Sequence, residues 1–281
     1  MRGCLRMAFA QYVKWLCAPR MLIFLILVVY AKEIVGNELC AHAAKVGEKL
    51  HFFEPYIALS NSYIVVLITP VVFLLLMSNF PIMEGSYMWS VYRMGKNKWI
   101  FSQFILALFC SATIALGIFI STVVSSMQYI EIDTGWSKVI TQYRILVPEE
   151  FDNKTTNLIS GDVYNQMSAT EAAIHTIVLS ILSMLLYSCI LMCGKVWGKR
   201  YLNFGICIGL IGTGAVFRIF DVKIKFLFPA AHSVVSGHYT EYMREPIMHF
   251  GFSYLYFVIG IAIMLSIAIL GFKRRDICRS L

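Results

Sequence analysis

A chain of 281 residues that is 59% hydrophobic, with a mean hydropathy of +0.71 and 14% charged residues, is not a soluble globular domain. In such domains about a quarter of the residues are charged. The formal charge of +8 would suit nucleic acid or anionic lipid, and its distribution decides between them. With the spans set out below, one side of the membrane holds 14 Lys and Arg against 2 Asp and Glu, and the other holds 10 against 14. That is the positive-inside pattern of a polytopic membrane protein and not a nucleic-acid surface.

Residues 1–20 carry Arg2, Arg6, Lys14 and Arg20 and no acid. Leu5, Phe9, Tyr12 and Leu16 recur at helical spacing, which predicts a helix over 1–18 lying on the inner leaflet. The apolar run Met21 to Ala31 is too short to cross about 30 Å of hydrocarbon. A first span from Pro19 to Gly36 is long enough and places Lys32 and Glu33 at its outer boundary, where they snorkel or pair. A rival reading takes this stretch as a secretory signal cleaved near Ala41-His42-Ala43, but the basic stretch is long and a charged pair precedes the site.

Segment 37–55 is then an outer loop, and Tyr56 to Met77 forms the second span, with Ser60 and Asn61 near its outer end and a kink expected at Pro70. Asn79-Phe80-Pro81 ends that helix, because proline restricts the residue before it and donates no amide hydrogen. From Ile82 a short inner helix runs to Met94, closed by Gly95, followed by a basic turn and Trp99 at the interface. This segment, 78–98, is far longer than the about 2–8 residues a connector needs. Its Tyr87, Trp89, Tyr92, Arg93, Lys96 and Lys98 suit a protein contact, and an amphipathic helix resting on lipid is the alternative.

Trp99 to Val124 is the third span, and residues 125–171 form the one large polar segment, with room for a small outer subdomain. Asn153-Lys154-Thr155 within it is a glycosylation triplet, a pattern that recurs by chance. The fourth span, Ala172 to Cys193, meets the inner cluster Lys195, Lys199 and Arg200. In the fifth, Tyr201 to Phe220, Gly205 and Gly209 stand one turn apart, the small-xxx-small spacing of a helix-packing seam. Residues 226–247 are too apolar for a loop and too short to cross, and Pro229 and Gly237 frame half a helix, so the segment reads as an outer re-entrant element. His249 to Gly271 is the sixth span.

The eight cysteines place only Cys40 in an outer loop, so no outer disulfide forms within one chain; Cys189 and Cys193 read as small packing residues. No G-x-x-x-x-G-K-[ST] occurs: Gly95-Lys96, Gly194-Lys195 and Gly198-Lys199 all lack the upstream glycine, so the chain has no recognisable ATP site. H-E-x-x-H, G-x-S-x-G and C-x-x-C are also missing, and no catalytic, cofactor or metal residue is assigned. His232 and His238 with Glu241 fit no defensible metal spacing, and interfacial hydrogen bonding is the favoured role. Acids are missing from the span interiors, Glu54 at an outer helix mouth being the nearest.

The pattern resembles the permease subunit of an ATP-binding-cassette exporter of the second type, and a smaller bacterial six-span subgroup more closely. The residues that carry the resemblance are Glu54-Pro55 and Asn61-Ser62, Phe80-Pro81, Tyr92-Arg93-Met94-Gly95-Lys96-Asn97-Lys98-Trp99, and Pro229-Ala230-Ala231-His232-Ser233. Where that subgroup often has an aspartate before Phe-Pro, this chain has Asn79. The resemblance implies an all-α polytopic membrane protein, one domain over 1–281 with six transmembrane helices and both termini cytoplasmic. It makes 78–98 a coupling segment and assigns Tyr87, Trp89, Tyr92, Arg93, Lys96 and Lys98 to contact with a separate ATPase subunit that holds ATP-Mg. Glu54, Ser60, Asn61, Pro229 and His232 become candidates for a pathway or outer gate. A second permease, as homo- or heterodimer, and the lipid bilayer are the other partners, in a bacterial cytoplasmic membrane. The expected cargo is amphipathic or apolar: a peptide, lipid or drug. A non-transport scaffold or intramembrane enzyme is the competing class.

Overall fold

The computed structural model describes residues 2–83, 87–133, 135–148, 159–239 and 246–274. Among the described residues it is mainly helical, with four helices long and apolar enough to cross a membrane and up to six spans if two bent pairs each count as one. The four are α7 (Lys96–Ser125), α11 (Ala169–Val196), α12 (Arg200–Ile219) and α14 (Phe250–Arg274). The expected third, fourth, fifth and sixth spans coincide with them, α7 and α11 beginning three residues earlier and extending into polar flanks at both ends.

The first bent pair is α1 (Arg2–Leu16) and α2 (Met21–Ala31), which meet at 65° across Ala18-Pro19-Arg20. Helix α1 packs along α7, where the Tyr12 hydroxyl bonds Thr113 (2.7 Å) and Gln103 donates to Gln11 (2.7 Å). The expectation that the first helix stops at Gly36 is corrected. After a π-helical turn at Lys32–Gly36 the chain continues as α3 (Asn37–Val46), ending at Gly47 with φ +72°. Asn37 lies on the same helical run and donates to Glu33 (2.8 Å), an i, i+4 pair that favours continuation.

The second pair is α4 (Glu54–Asn61) and α5 (Tyr63–Leu76), bent by 85°. Pro70, where a kink was expected, sits inside continuous α5, and the interruption of the helical run comes earlier. The break falls at Ser62, whose ψ of 128° takes the backbone out of the helix. A proline at the eighth position of a helix bends it; an extended residue interrupts the hydrogen-bond ladder outright.

Helix α11 is the axis of the bundle. In its most apolar window 72% of the residues are buried, against 39%, 28% and 17% for α7, α14 and α12. It packs against α14, α12, α7 and α4, and its first turn is closed by a capping box in which Ser168 and Glu171 exchange hydrogen bonds. Trp99, on the first turn of α7, is fully buried and stacked on Phe272 (5.1 Å). An indole at the start of α7 finds an aromatic partner on α14, and burial of that pair joins the ends of two spans.

The described residues of the polar segment after α7 pack onto the main bundle. Its strand β2 (Ile130–Glu131) pairs in parallel with β1 (Leu50–His51), and two short helices follow, α8 (Lys138–Thr141) and α9 (Tyr143–Leu146). Val139 and Val163, the latter in α10 (Gly161–Tyr164), join the main hydrophobic core. Tyr143 stacks on His42 of α3 (4.0 Å), and Trp136 donates to the Met167 carbonyl (2.8 Å). The segment is therefore a cap on one end of the bundle. The triplet at Asn153 lies outside the described residues, as does Cys278; the seven described cysteines are free, and Cys189 and Cys193 are buried as expected.

Candidate functional site

The four segments read as inner meet at one end of the bundle. Arg20 donates to the Ser78 hydroxyl (2.8 Å), Arg200 to Asn79 Oδ1 (3.0 Å), Lys195 to the Asn79 carbonyl (2.7 Å), and Lys96 to the Lys273 carbonyl (3.3 Å). The turn Ser78–Pro81 thus collects cations from the α1–α2 elbow and from the α11–α12 connection. Next to it lies α6 (Tyr87–Met94), closed by Gly95 at φ +84°, a conformation that favours glycine. Val91 is the buried anchor of this helix against α7, while Trp89 and Tyr92 are 74% and 89% exposed and flank an exposed Arg93. Tyr87 opens α6, Lys98 is exposed on the first turn of α7, and Lys96 lies over the Phe272 ring (5.9 Å). The short helix of the sequence reading is present over Tyr87–Met94, and Glu84 lies outside the described residues.

At the opposite end Glu54 is fully buried at the head of α4. The Ser137 backbone N–H donates to Glu54 Oε1 (2.6 Å), and the Ser137 hydroxyl (2.8 Å) and His51 N–H (2.9 Å) donate to Oε2. This carboxylate ties the cap to the bundle, and no other candidate gate residue touches it in these contacts.

Ser60, Asn61 and the Pro229 element do come together. Helix α13 (Pro229–His232) is buried against α12, and Asn61 Oδ1 accepts from the Ser236 N–H (3.2 Å). His232 donates from Nε2 to the Phe226 carbonyl (2.7 Å), so its Nδ1 accepts from the Ser253 hydroxyl (2.9 Å). His238 likewise donates from Nδ1 to the Val234 carbonyl (2.9 Å), leaving Nε2 facing the same hydroxyl (2.8 Å). One Ser253 proton serves two acceptors, and burial pushes His238 down to about 4, keeping it neutral. Both rings are engaged in hydrogen bonds, the role favoured from the sequence, and Glu241 lies outside the described residues.

Between Ser60 and α13 is a cavity of about 50 Å³, bounded by α4, α5, α11 and residues 230–234. Its lining carries Tyr56, Ser60, Thr69, Thr176, Ser180 and Ser183. The Tyr56 hydroxyl bonds Ser60 and Ser180 across it. Thr69 Oγ1 is buried with no hydrogen-bond partner, and the adjacent Pro70 has no N–H for the Val66 carbonyl. The space suits one or two water molecules and is far too small for an amphipathic cargo. Of these residues only Ser60 was singled out from the sequence. The signal that finds those on α11 is the spacing of Thr176, Ser180, Ser183 and Tyr187, which puts four hydroxyls on one face of an otherwise apolar helix.

Gly205 and Gly209 lie on an exposed face of α12, and a Cβ at either would meet nothing within 4 Å. The close helix approaches within the chain are elsewhere, at Gly194 against Asn203 and at Gly214 against Phe228 and Ala230. No family model, curated protein or solved structure matches this chain.

Proposed function

We propose that this chain is the membrane permease subunit of an ATP-binding-cassette exporter. It works with a separate ATPase subunit that binds ATP-Mg, and moves an amphipathic or apolar substrate across a bacterial cytoplasmic membrane, with both termini cytoplasmic. The observation that carries this reading is α6, a helix anchored by Val91 that turns Trp89, Tyr92 and Arg93 outward at the basic end of the bundle. Aromatic residues and arginine are the side chains in which interface energy concentrates. A lipid-resting helix would bury its aromatic face in the bilayer, and Arg93 beside Tyr92 argues for a polar partner surface instead. On this reading the hydroxyl-lined cavity beneath the broken helix α4–α5 is a closed section of the pathway. Gly205 and Gly209, where an added Cβ would meet nothing within 4 Å among the described residues, belong to a seam with a second permease.

The test is co-purification with a lone ATP-binding-cassette subunit encoded beside this gene, together with ATP turnover. Trp89→Ala and Arg93→Ala should each cost about 2 kcal/mol of binding, roughly thirtyfold, while Asn97→Ala leaves both readouts unchanged. If the two large substitutions behave like Asn97→Ala, α6 is not the docking element.

A further inference from the structure

The small cavity beside the α4–α5 break has a one-sided polarity. Three of its lining residues spend their hydroxyl protons on carbonyls one turn back: Thr176 on Ala172 (2.6 Å), Ser183 on Ser180 (2.9 Å) and Ser233 on Ala230 (3.0 Å). A hydroxyl whose proton is fixed in this way has only its lone pairs left to offer. Tyr56, Ser60 and Ser180 share their protons among themselves through the Tyr56 hydroxyl. Thr69 Oγ1 is the exception: it is buried, its residue lines the same space, and it has no hydrogen-bond partner among the described residues. Val66, one turn before Pro70, adds a carbonyl whose usual intrahelical donor the proline lacks. The wall is thus rich in neutral oxygen acceptors drawn from α4, α5, α11 and the turn after α13.

We propose that this cavity binds a partly dehydrated alkali cation, with Thr69 Oγ1, the Val66 carbonyl and the hydroxyl oxygens of Thr176 and Ser183 as its ligands. Several neutral oxygens together can replace the hydration shell of a monovalent ion, as rings of backbone carbonyls do in potassium filters. Calcium and magnesium take carboxylates, which the described lining does not supply. Water is less well served by such a wall, because it needs donors for its own oxygen as well as acceptors for its hydrogens. At about 50 Å³ the space holds one ion with a single water beside it. Bound there, the ion ties α5 to α11 next to the interruption at Ser62. The inference does not rest on transport: its readout is stability and not ATP turnover, so either reading can fail without the other.

Thermal unfolding of the full-length protein in detergent, in sodium, potassium or N-methylglucamine chloride at equal ionic strength, tests it. Sodium or potassium should raise the midpoint saturably, by a few degrees at about ten times the dissociation constant. N-methylglucamine, too large for the cavity, should not. Thr69→Val removes the unpartnered oxygen and keeps the shape of the side chain. In N-methylglucamine this variant should be no less stable than wild type, because no hydrogen bond is lost, and it should lose the shift given by sodium or potassium. Ser183→Ala should weaken ion affinity several-fold, whereas Ser266→Ala, which removes an exposed hydroxyl of α14 outside the cavity, should keep the full shift. Equal midpoints in all three salts, the result for a cavity that holds water only, would overturn the assignment. So would a full shift in Thr69→Val, which would place the ion elsewhere.

Discussion

Replacing Glu54 with alanine is expected to cost about 3–5 kcal/mol of stability in detergent. The side chain is fully buried, and its two oxygens accept three hydrogen bonds, from the His51 N–H, the Ser137 N–H and the Ser137 hydroxyl. Alanine leaves three donors without their acceptor, one buried and two partly buried, and the penalty is their lost bonds together with the desolvation of those that water cannot reach. Glutamine keeps the shape but turns an amide group toward one of the donors, so Glu54→Gln should fall between wild type and alanine. Ser137 lies 83 residues away on the cap, so the loss should be shared with it. In a double-mutant cycle with Ser137→Ala, followed by chemical denaturation, the two effects should be strongly non-additive. Additive losses would mean that the carboxylate acts only on its own helix.

Gly194→Ala is expected to destabilise the α11–α12 hairpin by about 2–4 kcal/mol. A Cβ at position 194 would lie 2.4 Å from Asn203 Cβ and 2.6 Å from its Cγ. The nearest atom is next to the backbone, so no rotamer change clears it and α12 itself must move. That shift also breaks the bond from Asn203 Nδ2 to the Ile190 carbonyl (2.9 Å), which fixes the register of the two helices. Pairing Gly194→Ala with Asn203→Gly removes the opposing Cβ and should recover much of the loss. Gly209→Ala, whose new Cβ meets nothing within 4 Å among the described residues, should leave the monomer's stability within about 0.5 kcal/mol of wild type.

What the sequence made legible follows from periodicity and charge. The four long spans are apolar runs with basic ends, the N-terminal helix shows its face in Leu5, Phe9, Tyr12 and Leu16, and Gly95 marks the end of α6. Contacts made across long separations left no such mark. Nothing in Ser60-Asn61-Ser62 distinguishes a break from a helix with a polar turn, so the extended Ser62 has no sequence signal of its own. The continuation through Lys32–Gly36 was hidden by its charged pair, which reads as a boundary until Asn37 is seen bonded to Glu33. Glu54 was recognised as the nearest acid to the membrane, but its partner Ser137 sits in a loop whose register no pattern reveals. The hydroxyl face of α11 was present in the sequence and passed over, because each serine or threonine alone is an ordinary helix residue that bonds its own backbone, as Thr176 does to the Ala172 carbonyl (2.6 Å).

The central claim is that α6 and the basic turns face the cytoplasm while the Glu54-tethered cap faces outward. Thiol labelling with a membrane-impermeant reagent tests it, using single cysteines at Tyr92 and at Ile132, which are 89% and 87% exposed. The background lacks Cys17, Cys40 and Cys278, and labelling at Asn157, in the same cap segment but outside the described residues, serves as a second outer reporter. In intact cells the cysteine at 132 should react and the one at 92 should not, and permeabilisation should make both reactive. Labelling at 92 in intact cells, or protection of 132, would contradict the orientation and remove the cytoplasmic docking surface with it.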